Sequence, residues 1–161
     1  MTLTRRALAP LALAGALFAS AAVSAPALAA DENGLVRLRS PHSVEDTMAR
    51  LKAAIEEKGI TIFADINHGA NAAAMDLEMP ATHLLIFGSP KIGAPLMRAN
   101  PAIGIDLPIK VVAWEDADGQ TWLAYNDPAY LAERHGLPAD MKPFRGMAMN
   151  LGTLTAKAVE E

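Results

Sequence analysis

The tightest constraint on the fold is a change of period across one glycine. Val44, Met48, Leu51 and Ile55 recur at helical spacing, while Arg50, Lys52, Glu56, Glu57 and Lys58 fall off that stripe. Past Gly59, the run Ile60-Thr61-Ile62-Phe63-Ala64-Asp65-Ile66 is rich in β-branched and aromatic residues and reads as a strand. An amphipathic helix feeding directly into a strand has to lay its apolar stripe on a sheet. Ser43 caps the helix, and Asp46 three residues on completes an arrangement like a capping box.

The remaining elements fit the same plan. Leu35 to Ser40 alternates and forms a strand, broken by Ser40-Pro41-His42. Asn67-His68-Gly69 closes the second strand, and Ala70 to Ala74 make a short helical turn. Thr82 to Phe87 is apolar on both faces, which predicts a central strand. Gly88-Ser89-Pro90 turns the chain, and a short helix is expected over Pro95 to Asn100 with Pro95 in its first turn. Ile109 to Glu115 and Thr121 to Tyr125 form a hairpin across a turn-rich connection. Asp127-Pro128 opens a helix that Gly136-Leu137-Pro138 ends. Residues 138–161 read as a C-terminal tail, loop-like through Met147, with a marginal helix carried by Leu151, Leu154 and Ala158. The expectation is a single two-layer α+β domain, one twisted and mostly antiparallel sheet with helices packed on one face.

Residues 1–29 have the pattern of a signal peptide. Arg5 and Arg6 precede an uncharged Ala/Leu-rich stretch, and Ala27-Leu28-Ala29 is a small-x-small cleavage site. Pro10, Gly15 and the cleavage site favour removal over a stable membrane span. Thr4-Arg5-Arg6-Ala7-Leu8 also resembles a twin-arginine signal, so both the Sec and twin-arginine routes stay open. The expected location is periplasmic or secreted. The whole chain has 161 residues and a formal charge of −4, and its only charges before Ala30 are those two arginines. An acidic chain of this kind is not built for nucleic acid. It has no cysteine, which excludes disulfides, thiolate metal sites and a cysteine nucleophile.

A set of short motifs carries a family resemblance. Phe87-Gly88-Ser89-Pro90-Lys91, Pro95-Leu96-Met97 and Asp106-Leu107-Pro108-Ile109-Lys110 are followed by Trp114-Glu115-Asp116, Asp118-Gly119 and Tyr125-Asn126-Asp127-Pro128. Ala132-Glu133-Arg134-His135-Gly136 completes the set, and Phe63, Ile66 and His68 fit as well. Over residues 35–137 the chain resembles the bacterial family known as domain of unknown function 302. The resemblance implies a compact α+β domain that self-associates, and it implies no settled activity. The family pattern more often has Asp where this chain has Asn67.

Several residues are candidates for chemistry. His68 stands at a strand end before Gly69 and small alanines, where an imidazole can act as a base or a ligand; Asp65 falls on the opposite face. The alternative is a histidine that hydrogen-bonds and fixes the following turn. Gly88-Ser89-Pro90-Lys91-Ile92-Gly93 lacks the Lys-Ser/Thr of a phosphate loop, which leaves Ser89 and Lys91 as a weaker anion site or a plain turn. Tyr125 can offer its phenol to a pocket, and Asn126 or Asp127 can cap the next helix. His135 suits a helix C-terminus, and Asp116-Ala117-Asp118-Gly119 reads as a turn lacking the later ligands of a calcium loop. Met75 and Met79, with His83, are a thin case for copper, since Pro80 argues against a helix joining them and methionine is ordinarily core filler.

Three readings follow. The first is an exported, non-enzymatic domain that binds a small ligand or a periplasmic protein, as a homodimer. Its ligand-binding candidates are His68, Asn67, Ser89, Lys91, Tyr125 and Asn126. The second is a small enzyme using His68 with Tyr125 or Asn126 in a cleft at the strand ends. The third is copper or haem handling through methionine and histidine. The sequence identifies no cofactor.

Overall fold

The computed structural model describes residues 30–161, so the signal-peptide segment 1–29 lies outside the described residues. The element order is β1 (Leu35–Ser40), α1 (Val44–Glu57), β2 (Thr61–Asn67), α2 (His68–Ala73), β3 (Thr82–Gly88) and α3 (Pro90–Ala99). A 3-10 turn (Pro101–Ile105), β4 (Ile109–Glu115), β5 (Thr121–Asn126), α4 (Pro128–Arg134) and α5 (Lys142–Val159) complete it. The five strands form one sheet in the order β1-β5-β4-β3-β2, and every neighbouring pair is antiparallel.

Strand alternation sends Val36, Leu38, Leu85, Phe87, Val111, Ala113 and Leu123 to one face, where all are buried. Against them pack Val44, Met48, Leu51, Ala54 and Ile55 of α1 and Phe144, Met147, Leu151, Leu154 and Ala158 of α5. The Ser43 hydroxyl accepts from the Asp46 amide at 3.1 Å, so α1 starts where the capping pattern places it. Gly59 leaves it at φ 62°, the left-handed conformation that ends many helices.

Three expectations need correction. The C-terminal tail is the longest helix in the described chain and half of the core's cover, not a marginal addition. Met141 to Met147 is not a loop, because Pro143 sits in the first turn, where a proline costs no hydrogen bond. The third strand, β3, is interior but next to the edge; β4 is the centre. Leu84 and Ile86 are only half-buried because no helix covers their face. The helix expected from Pro95 begins instead at Pro90, capped by Ser89, and carries Pro95 in its interior.

One irregularity positions the site. The register of β2 on β3 shifts between Ile62 and Ala64, leaving Phe63 as the extra residue of a bulge. Ile62 stands opposite Phe87 before the bulge, and Asp65 stands opposite Leu85 after it. The bulge lets both Ile62 and Asp65 share the face that carries Phe87 and Leu85.

Candidate functional site: an apolar groove beside the edge strand

An apolar concavity opens where the start of β2, the end of β3, α3 and α5 meet. Its volume is about 290 Å³. Ile60, Phe63, Phe87, Ile92, Met97 and Met147 are among its apolar walls. Ser89 and Asn150 are the only lining residues with polar side chains. Glycine keeps two walls thin, since a Cβ on Gly93 would stand 3.5 Å from the Met97 methyl and one on Gly88 would stand 3.4 Å from Pro108. The bulge leaves Phe63 54% exposed at the rim, an unusual state for a phenylalanine that packing could have buried. Ser89 accepts from the Lys91 amide at 3.3 Å, which leaves its hydroxyl proton for another partner.

The candidate residues do not assemble into one site. Ser89 lines the groove, and Lys91 stands in the first turn of α3 between the lining residues Pro90 and Ile92. Asn67 and His68 lie at the opposite end of the edge strand, because Asn67 pairs with His83 at the start of β3 and Ser89 follows its end. Asn67 caps α2 by accepting from the Ala70 amide at 2.9 Å, and His68 is exposed as the first residue of that helix. Tyr125 is 6% exposed on the core face of β5, three strands from β2. Burial raises its phenol above the ordinary value of 10.0; the neighbouring Thr155 hydroxyl pulls the other way, and the Asp127 charge adds to the rise. Asn126 faces away from that core, and Asp127, not Asn126, caps α4 through the Ala129 amide. The His68–Tyr125 pairing of the enzymatic reading is therefore not formed. Met75 and Met79 lie in the loop after α2 and are exposed, and His83 is engaged elsewhere.

That engagement is the feature sequence reasoning missed. His83 Nε2 lies 2.5 Å from one Asp65 oxygen and Lys52 Nζ lies 2.8 Å from the other. The Lys52 hydrogen bond, then that of His83, holds the Asp65 carboxyl below its ordinary value of 3.8 against a desolvation penalty. The cluster borders a second, smaller depression lined by Glu45, Met48, Ala49 and Leu85. No serine or threonine lines it to serve as a nucleophile, so the cluster ties α1 to the edge of the sheet. The available signal was an acid and a histidine on sheet residues that alternation directs at α1, but the bulge shifted the count. A second pair joins His135 to Asp106 at 2.5 Å and links the C-terminus of α4 to the loop after the 3-10 turn.

Fold and groove together define a class: a two-layer α+β domain with five antiparallel strands, helices on one face, and an apolar groove at one edge. The chain belongs to the family described as "Domain of unknown function DUF302", whose pattern matches residues 36–151. The match runs into α5, which fits that helix being part of the domain. A crystal structure of an uncharacterized conserved DUF302 protein from Bacillus stearothermophilus has the same fold, with a TM-score of 0.68 at 17% identity. It covers 78% of this chain and 98% of that one. Curated relatives include "Fluoride-specific ion channel FluC 1" from Brucella suis, 43% identical over 129 residues. The protein of the same name from Brucella abortus is equally similar. The match takes in 79% of this chain but only 50% and 47% of those relatives, so the chain spans about half their length.

Proposed function

We propose that this protein is an exported binding domain that holds a small, largely apolar molecule in the groove between β2, α3 and α5. The observation that carries the reading is a concavity of about 290 Å³ with apolar walls and only Ser89 and Asn150 as polar lining side chains. Ligand sites in proteins commonly combine these features, an apolar enclosure and a few orienting polar groups. At roughly 30 Å³ for one water-sized group, the space suits a ligand of about ten non-hydrogen atoms. Export rests on the pattern of residues 1–29, and N-terminal sequencing of the secreted form is expected to begin at Ala30. Calorimetric titration with octanol tests the groove. Saturable one-to-one binding that disappears in Ala94→Trp, where a bulky ring would fill the mouth, is the expected result. No binding, or binding indifferent to that substitution, would reject the reading.

The relatives favour a second, compatible reading. Proteins named as fluoride-specific ion channels carry a stretch like this chain within a polypeptide about twice as long. No helix among the described residues is long and apolar enough to cross a membrane. Two units joined in one chain have every opportunity to act together, so this domain is proposed to work beside a membrane ion channel. Co-isolation of the tagged protein with such a channel from detergent-solubilised membranes is the expected outcome. A channel preparation free of it would count against this reading. Self-association, which the family resemblance implies, belongs to the proposal too; the uncovered face with Leu84, Ile86, Val112 and Trp114 is the surface available for it.

A further inference from the structure

We infer that the groove selects amphiphiles with an anionic head, a short hydrocarbon tail lying between Phe63, Met97 and Met147 with its carboxylate or phosphate held at the rim. This inference rests on the groove being a ligand site. What takes it further is the distribution of charge. The whole chain is acidic, at −4, yet the two helices that wall the groove carry no Asp or Glu at all. On α3 the charged residues are Lys91 and Arg98; on α5 they are Lys142, Arg145 and Lys157.

Most of these cations are unspent. Lys157 is paired with Glu57 at 2.8 Å. Lys91, Arg98, Lys142 and Arg145 form no ion pair with a carboxylate among the described residues, and all four are exposed. Arg145 bonds only the Asp140 backbone carbonyl. Lys91 is flanked by lining residues and Arg98 follows the lining residue Met97, while Lys142 and Arg145 stand on the solvent side of the first turns of α5 and add to the field there without lining the groove. The acids near this region are accounted for in part: Asp106 is held by His135 and Arg134, and Glu57 by Lys157.

The chemistry of the walls supplies the other half. An apolar trough favours a hydrocarbon, whose transfer from water is driven by the area removed from solvent. Exposed Phe63 and Met97 extend that trough to the rim. The Ser89 hydroxyl can donate to a head group, and the Asn150 amide makes no side-chain hydrogen bond among the described residues. Unpaired cations and no acid on the two helices beside an apolar slot favour an anion over an alcohol of equal length, and disfavour an ammonium.

The test compares octanoate, octyl phosphate, octanol and octylammonium by calorimetry on the full exported chain. The anions are expected to bind about tenfold more tightly than octanol at low ionic strength, the combined effect of several weak exposed contacts. That advantage is expected to shrink with added salt, as screening requires. A variant carrying Lys91→Gln, Arg98→Gln, Lys142→Gln and Arg145→Gln should bind octanol as before and lose the preference. Its thermal unfolding, compared with the parent, verifies that these exposed changes leave the fold intact. Equal binding of octanoate and octanol by the parent, or a preference that survives in the quadruple variant, would overturn the inference while leaving the groove standing. Failure of all four probes to bind would instead remove the groove reading itself. Comparing octanoate with octyl phosphate distinguishes a fatty carboxylate from a phosphate head.

Discussion

Single residues in this protein are set by what alternation places beside them. Asp65 is an acid on the core-side face of an edge strand, and such a position is tolerable because Lys52 and His83 hold both of its oxygens. Its carboxyl is depressed below 3.8, so the stabilisation it brings is complete above that value and is lost as pH falls through the lowered one. Urea unfolding of the parent and of Asp65→Asn is expected to differ at neutral pH by about 1 kcal/mol or less, since the group is part-exposed. The difference should close in the acid range, and one that persists there would mean the charge is not the source. Tyr125 behaves oppositely. Burial raises its phenol above 10.0, so its contribution is intact below that value and declines as pH rises above it. Tyr125→Phe should cost roughly 0.5–1.5 kcal/mol and leave octanol binding unchanged, because Tyr125 does not line the groove.

At the scale of elements, the structure promotes α5 from an appendage to a partner of α1. Leu51 on α1 and Leu154 on α5 are both fully buried. Leu51→Ala and Leu154→Ala are each expected to cost about 2–5 kcal/mol in chemical denaturation. A frayed tail would make the second substitution nearly silent. Lys52→Ala, which removes only an exposed partner of Asp65, should be nearly silent beside Leu51→Ala and should track Asp65→Asn instead. Gly34 sets the entry to β1 in the same close-packed way. Its φ is 77°, and a Cβ there would fall 2.1 Å from the Tyr130 ring. Gly34→Ala is therefore strained twice over, by the backbone and by the ring, and a lowered melting temperature is expected.

For the whole molecule, the uncovered side of the sheet is the largest structural question. Helices occupy one face alone, and the other exposes a row of half-buried apolar residues edged by Arg39, which stacks over Trp122 at 5.2 Å. If this face joins two copies, light scattering should report a dimer, and Ile86→Lys should yield a monomer that still binds octanol. A monomeric parent at micromolar concentration would exclude that arrangement. The groove lies on the other side of the molecule's edge, so loss of the dimer and loss of ligand should be separable.

Periodicity and capping alone were enough to establish five strands, α1 with its boundaries, the β4–β5 hairpin, α4 and the two-layer class. Each is written in local spacing, where an apolar stripe or a cap needs no distant partner to be recognised. The motifs from Phe87 to Gly136 likewise carried the family. Packing decided the rest. Gly146 and Gly152 dilute the helical signal of α5, and its stability comes from the buried face it shares with α1 and the sheet. The bulge at Phe63 shifts alternation by one residue, so it moved Asp65 toward Lys52 and His83 and brought Phe63 to the groove rim. The groove itself draws on β2, β3, α3, the segment leading into β4, and α5, segments far apart in the chain. No local pattern records which of them will meet, because their meeting is fixed only when the apolar faces of all of them are buried together.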